Sequence, residues 1–261
     1  MFVIETYNLT KSYNGFRAVD SISLNIKKGE LFGLLGPNGA GKTTFVSMLA
    51  TVRKPSSGSA RLCSYDVEKE QDDVRRSIGI VFQDPSLDDE LYGRENLDLH
   101  GRLYHMKKEV RKKRMDDVLK LVGLTQKAGM KVKTYSGGMR RRIEIARGLM
   151  HKPRVLFLDE PTLGLDPQTR RTIWEFIKKL KKEGVTIILT THYMEEAEQL
   201  CDRVAIIDHG KIIALDTPAR LKKRNKAKSL EDVFLKYTGR YIRDEESSVS
   251  YRNRMKYRMR H

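Results

Sequence analysis

Leu31-Phe-Gly-Leu-Leu-Gly36-Pro-Asn-Gly-Ala-Gly41-Lys42-Thr-Thr44 is the stretch on which the fold turns. Its first five residues form a short apolar run without alternation of polarity, the pattern of a strand buried on both faces. Three glycines follow, and then the helical spacing Phe45, Val46, Leu49, Ala50. The order is strand, tight loop, helix. Gly36 to Thr43 fits G-x-x-x-x-G-K-[ST] at every fixed position. The glycines let backbone amides close around phosphate oxygens with no Cβ in the way, and the helix aims its positive N-terminal end at the same anion. Gly36, Pro37, Asn38, Gly39, Ala40, Gly41, Lys42, Thr43 and Thr44 are therefore candidates for phosphate contact. Lys42 supplies a point charge, and the Thr43 hydroxyl is placed to ligate Mg²⁺. Thr44 stands where a dinucleotide-binding loop needs its last glycine, which excludes that alternative.

A second strand, Val155-Leu-Phe-Leu-Asp159-Glu160, ends in two adjacent acids. Parallel sheets bind ligands beyond the carboxyl ends of their strands. Asp159 is placed there to hold Mg²⁺ and Glu160 to act as general base toward water. Further short apolar runs, Ile78–Phe82 and Thr186–Leu189, are separated by helical segments such as Gln168–Lys182. That alternation predicts an α/β fold of the P-loop NTPase class with a mainly parallel central sheet. Glu5–Lys11 and Ile22–Lys27 read as antiparallel N-terminal additions, and Val204–Leu215 as two strands around His209-Gly210. Between Pro85 and Lys152 helical spacing replaces strand patterning (Leu97, Leu103, Tyr104, Met115, Val118, Leu119, Val122). The expected division is an ATP-binding core of 1–84 and 153–238, a helical subdomain of 85–152 and a basic tail of 239–261.

The apolar runs fall far short of the roughly 18–20 residues that cross a bilayer. The start, MFVIETYNLTKSYNG, has no basic segment leading into an apolar one, so a cytoplasmic location is expected. Cys63 and Cys201 match no metal spacing and read as reduced, structural thiols. The net charge of +17 points to an anionic partner without fixing the fold. Its runs, Lys107–Arg114, Arg140–Arg142, Lys178–Lys182, Arg220–Lys228 and Arg252–Arg260, read first as solvated helix faces.

Tyr135-Ser136-Gly137-Gly138-Met139, opening the helical run RRRIEIARGLM, narrows the class. With this motif about twenty residues before Asp159, the chain resembles the ATP-binding-cassette (ABC) ATPase family nearly throughout, to about Arg240. The resemblance implies that Ser136, Gly137 and Gly138 contact the γ-phosphate of ATP held by a second subunit. It implies that Tyr13 stacks on adenine, that Gln83 links the Mg²⁺ site to a membrane partner, that Asp166 in Leu163-Gly-Leu-Asp166 lies in the loop crossing between subunits, and that His192 is the switch on the γ-phosphate. A lone tyrosine, glutamine or histidine more often packs or is solvated; the shared order and spacing carry the assignment.

Tyr135 and Met139 replace the usual Leu and Gln of that motif, so its fifth side chain offers no amide. Met there, together with VRRSIGIVFQDPSLDDELYGRENL (74–97) and SLEDVFLKYTGR (229–240), is similar to the branch that exports drugs and polysaccharides. The resemblance implies an ATP- and Mg²⁺-dependent ATPase subunit driving export through a separate transmembrane permease. Each motif occurs once, so a second ATP-binding subunit, identical or homologous, is implied. The basic runs suggest an anionic lipid surface and a peripheral position at the membrane. The alternative, a soluble ABC ATPase acting on nucleic acid or ribosomes, rests on charge alone, and the single cassette argues against it.

Overall fold

The computed structural model describes residues 1–84 and 86–239. In chain order the elements are β1 (Phe2–Tyr13), β2 (Phe16–Lys27), β3 (Leu31–Leu35), α1 (Lys42–Leu49), β4 (Ser57–Leu62), β5 (Tyr65–Asp66), α2 (Gln71–Ser77) and β6 (Ile78–Val81). Then come α3 (Gly93–Leu103), α4 (Lys108–Leu121), α5 (Gly137–Gly148), β7 (Val155–Asp159), α6 (Pro167–Lys182), β8 (Thr186–Thr191) and α7 (Met194–Leu200). β9 (Arg203–Asp208), β10 (Lys211–Asp216), α8 (Pro218–Asn225) and α9 (Leu230–Thr238) complete the described chain.

The central sheet has the order β10-β9-β3-β8-β7-β6, all parallel except β10. A second, antiparallel sheet, β2-β1-β4-β5, comes from the N-terminal region. The period of two in a strand sorts the core into two clusters on opposite faces of the central sheet. Leu31, Leu35, Leu156, Leu158, Ile187 and Leu189 pack toward the helices that follow β6. Phe32, Leu34, Val155, Phe157 and Ile188 pack with α1 and the antiparallel sheet. β3, β7 and β8 are buried along their whole length, which is why their sequences carry no alternation.

The expected antiparallel strands exist and are longer than the apolar patterning suggested, at twelve residues each. Three side chains differ from expectation. Leu103, taken as part of the inward helical spacing, is 68% exposed, because α3 ends there and the chain turns toward α4. Arg111 and Arg141, read within solvated charge runs, are both buried. Arg111 pairs with Asp98 at 2.5 Å; Arg141 is described below. Cys63 and Cys201 are buried and unpaired, as expected of structural thiols. The run Arg252–Arg260 and most of the expected basic tail lie outside the described residues.

Phe157 is 1% exposed in the middle of β7. Phe157→Ala is expected to lower the unfolding free energy by about 3–5 kcal/mol, read from urea denaturation with the slope unchanged.

Candidate active site

Four loops meet at the carboxyl ends of the parallel strands. Leu35 pairs with Thr191, and Asp159 with Thr190, so β3, β8 and β7 end level. Gly36, His192 and Glu160 are the next residues of their chains. Gln83 arrives two residues after β6. The phosphate loop fits against the sheet edge without spare room: a Cβ on Gly36 would collide with the Ile207 carbonyl oxygen of β9.

The loop, with Phe16, Ala18, Gln83 and Glu160, lines an open cleft of about 260 Å³. Lys42, Thr43 and Thr44 sit in the first turn of α1, where backbone N–H groups have no intrahelical acceptor. The Lys42 ammonium is 6% exposed and donates to the carbonyls of Gly36 at 2.7 Å and Pro37 at 3.3 Å. It lies 3.6 Å from Glu160 Oε1. Burial pulls the Lys42 pKa down from its ordinary value, while the carboxylates of Glu160 and Asp159 hold it up.

Asp159 is gripped from several sides. One carboxylate oxygen accepts from Thr43 Oγ1 at 3.4 Å, the other accepts from the Thr190 hydroxyl, and its backbone carbonyl accepts from Arg141 Nη2 at 2.6 Å. Glu160 takes a left-handed backbone, φ 48°, which costs a non-glycine residue about 1–2 kcal/mol. Its N–H offsets that by donating to the Thr190 carbonyl at 3.1 Å. The turn separates the two acids: Asp159 remains with the strand, and Glu160 reaches Lys42 on one side and His192 on the other. His192 Nδ1 approaches Glu160 Oε2 to 2.9 Å, but off the hydrogen-bonding directions, so neither atom has an aligned partner.

The oxygen chemistry here fits a hard divalent cation. Thr43 Oγ1 and the Asp159 carboxylate stand together, and the Gln83 side chain borders the same cleft. A cation held there would take the Asp159 carboxylate and the Thr43 hydroxyl from the protein, with phosphate oxygens supplying the rest of its shell.

Ser136, Gly137, Gly138 and Asp166 are not among the residues lining this cleft. Ser136 caps α5, its hydroxyl accepting from Met139 N–H at 3.3 Å. Asp166 caps α6 in the same way, accepting from Gln168 and Thr169 N–H at 3.0 Å each. These two helix tips are neighbours: a Cβ on Gly138 would strike the Thr169 side chain. By contact the expected residues fall into two groups: Lys42, Thr43, Asp159, Glu160 and His192 around the phosphate loop, and Ser136, Gly138 and Asp166 at the α5 and α6 tips.

Tyr13 pairs with Phe16 across the first hairpin, beneath the cations of Lys11 and Arg53 at 5.3 and 5.6 Å. Phe16 lines the cleft and Tyr13 does not. Sequence reading also missed Arg141. Besides Asp159, its guanidinium donates to the carbonyls of Pro161 at 3.0 Å and Phe82 at 2.7 Å and pairs with Glu144 at 3.0 Å. One buried fork therefore joins α5 to the loops carrying Glu160 and Gln83. Within the run Arg140–Arg142 no sequence signal marks the middle member as the buried one.

A phosphate loop between strand and helix, with an acid-ended strand one strand removed, defines a P-loop NTPase. Comparison with known proteins narrows that class. The family described as ABC transporter matches residues 19–163. The daunorubicin/doxorubicin resistance ATP-binding protein DrrA of Streptomyces peucetius is 48% identical over 84% of this chain and 66% of its own length. The linearmycin resistance ATP-binding protein LnrL of Bacillus subtilis is 46% identical over 85% and 71%. The Nod factor export ATP-binding protein I of Ralstonia nicotianae is 43% identical over 84% and 68%. The chain spans about two thirds of the length of these relatives. Among solved structures, a dimeric ATP-binding cassette in a post-hydrolysis state with ADP and phosphate superposes with a TM-score of 0.73, at 31% identity over 82% of this chain and 98% of the other. CbiO1 from Clostridium perfringens gives 0.79, at 31% identity over 86% and 95%. The chain belongs to the ABC transporter family, as an ATP-binding cassette of the branch that includes the drug-resistance and Nod factor export ATPases.

Arg141→Ala is expected to cost about 3–5 kcal/mol, because it leaves Glu144 charged and buried without its partner. Arg141→Lys keeps the charge but not the fork and should recover only part of the loss in chemical denaturation.

Proposed function

We propose that this chain is the ATP-hydrolysing subunit of an exporter, working as one of two cassettes beneath a separate transmembrane permease. The separation of the phosphate loop from the α5 and α6 tips carries this reading. Each chain presents two half-sites, and head-to-tail pairing sets Ser136, Gly137, Gly138 and Asp166 of one copy against the phosphate loop of the other. The tip of α5 suits that task, since a helix N-terminus with a serine hydroxyl and glycine amides favours an anion.

Within one half-site, the loop from Gly36 to Thr44 wraps the phosphates and Lys42 turns from its own carbonyls to them. Thr43, Asp159 and Gln83 hold Mg²⁺, which neutralises phosphate charge when bound. Glu160 orients and deprotonates the attacking water, and His192 holds Glu160 and the γ-phosphate edge in register. Tyr13, or Phe16 opposite it, supplies the ring for adenine. Both aromatics lie at the hairpin beside the cleft.

The division into a core of 1–84 and 153–238 and a helical subdomain of 85–152 gives these parts their motion. α3, α4 and α5 move with the Ser136 tip and bear on the permease near Gln83. No helix among the described residues is long and apolar enough to cross a membrane; in this reading translocation is the permease's task. Lys107–Arg114 suits contact with anionic headgroups, each nearby cation contributing about 1 kcal/mol, and nucleic acid has no part in this reading. The names of the relatives support export as the direction.

Glu160→Gln is expected to keep ATP binding, accumulate as an ATP-bound dimer in light scattering, and lose about 100-fold or more of its turnover. Unchanged turnover contradicts the base assignment.

A further inference from the structure

Behind the cleft lies a carboxylate that the chemistry above does not use. Glu196, on α7, is 0% exposed. Its Oε1 accepts two hydrogen bonds, from Thr162 Oγ1 at 2.8 Å and from Trp174 Nε1 at 3.0 Å. Thr162 is itself fully buried and lies two residues beyond Glu160, in the loop that leads to Asp166. Trp174 is on α6, which that loop enters. α7 begins two residues after His192. One oxygen atom thus joins the loop of Glu160 and Asp166, the helix that Asp166 caps, and the helix directly behind His192.

Burying a carboxylate is costly, and an apolar side chain of similar size would fill the space more cheaply. Burial pushes the Glu196 carboxyl up from its ordinary value, and Glu160 nearby pushes the same way; Thr191, Thr162 and Trp174 oppose both through hydrogen bonds. Packing alone gives no reason for a polar acceptor here. Geometry gives one. Glu160 and His192 stand 2.9 Å apart on loops from different strands, β7 and β8, without an aligned hydrogen bond between them. The bond from Glu160 N–H to the Thr190 carbonyl ties their backbones at the strand ends, and the Thr162–Glu196 bond is a second tie, between the side chains beyond them.

We propose that Glu196 is a positioning residue for hydrolysis, whose carboxylate locks the Glu160–Asp166 loop to the helix behind His192 so that the two groups keep their mutual geometry. Because that loop also carries Asp166, a partner that moves Asp166 pulls on the same tie and changes the alignment of Glu160 with His192. Trp174 is the only tryptophan of the chain, so its emission reports this bond directly. The proposal rests on the assignment of Glu160 as base and His192 as switch.

The test uses the full chain and three substitutions: Glu196→Gln, which keeps the accepting oxygen; Thr162→Val, which removes one donor at constant shape; and Glu196→Leu, which removes the acceptor. ATP affinity, KM, kcat and tryptophan emission are measured for each. Thr162→Val and Glu196→Leu are expected to lower kcat by about 10- to 100-fold with KM and ATP affinity unchanged. Glu196→Gln should restore most of the rate. Emission should shift in Glu196→Leu and stay near wild type in Glu196→Gln. If Glu196→Leu does not fold, Thr162→Val and Trp174→Phe carry the comparison. Wild-type kcat in Thr162→Val, or equal losses in ATP affinity and kcat, overturns the proposal. Loss of turnover in Glu160→Gln alongside normal turnover in Thr162→Val overturns the positioning role alone, whereas normal turnover in Glu160→Gln removes the reading beneath it.

Discussion

An ammonium group held out of water beside two carboxylates is the constraint around which this site is arranged. Lys42 is buried, and burial works against its charge. Glu160 and Asp159 compensate, and two carbonyls of its own loop accept hydrogen bonds from it. The loop can hold that position only because Gly36 seats it against β9 without a side chain between. The acids can serve Lys42 only because β7 and β3 end level, with β8 between them. The three strands are therefore buried throughout, and their lack of alternation is the sequence record of that burial.

In the proposed reading, a cleft built this way is half a site. Its wall consists of the phosphate loop, Phe16, Gln83 and Glu160, with Asp159 buried behind Thr43. The serine-glycine tip of α5 and the Asp166 cap of α6 lie together elsewhere on the same chain. In the proposed pairing a second cassette completes the enclosure; the solved dimeric cassette with ADP and phosphate is 31% identical to this chain. The Arg141 fork and the Thr162–Glu196 bond run inside each chain between the elements that must move together. They give α5, the Glu160 loop and the His192 loop a common frame.

How much of this could be read beforehand follows the range of each interaction. The phosphate loop, the acid-ended strand and the parallel sheet were legible because each is a local pattern of glycines, apolar runs and spacing. Arg141 and Glu196 were not. Arg141 sits in a run of three arginines, and nothing in that run says that one faces Asp159, 18 residues away. Glu196 meets Thr162 across 34 residues. Buried charge in a helix looks like solvated charge until the partner is known. The same holds for Leu103, whose apolar character suits a helix face but whose position at the end of α3 exposes it. At the hairpin, pairing of Tyr13 with Phe16 puts a second aromatic where the sequence offered one, and Phe16 is the one at the cleft.

Cross-linking between two differently marked chains tests the composite site most directly. One chain carries Asn38→Cys in the phosphate loop and the other Ser136→Cys at the α5 tip, with the buried Cys63 and Cys201 left in place. Mixed with ATP and Mg²⁺ under mild oxidation, the pair should form a covalent heterodimer, and neither chain should link to itself. A heterodimer yield indifferent to ATP, or Asn38→Cys pairing with its own kind, contradicts the head-to-tail arrangement.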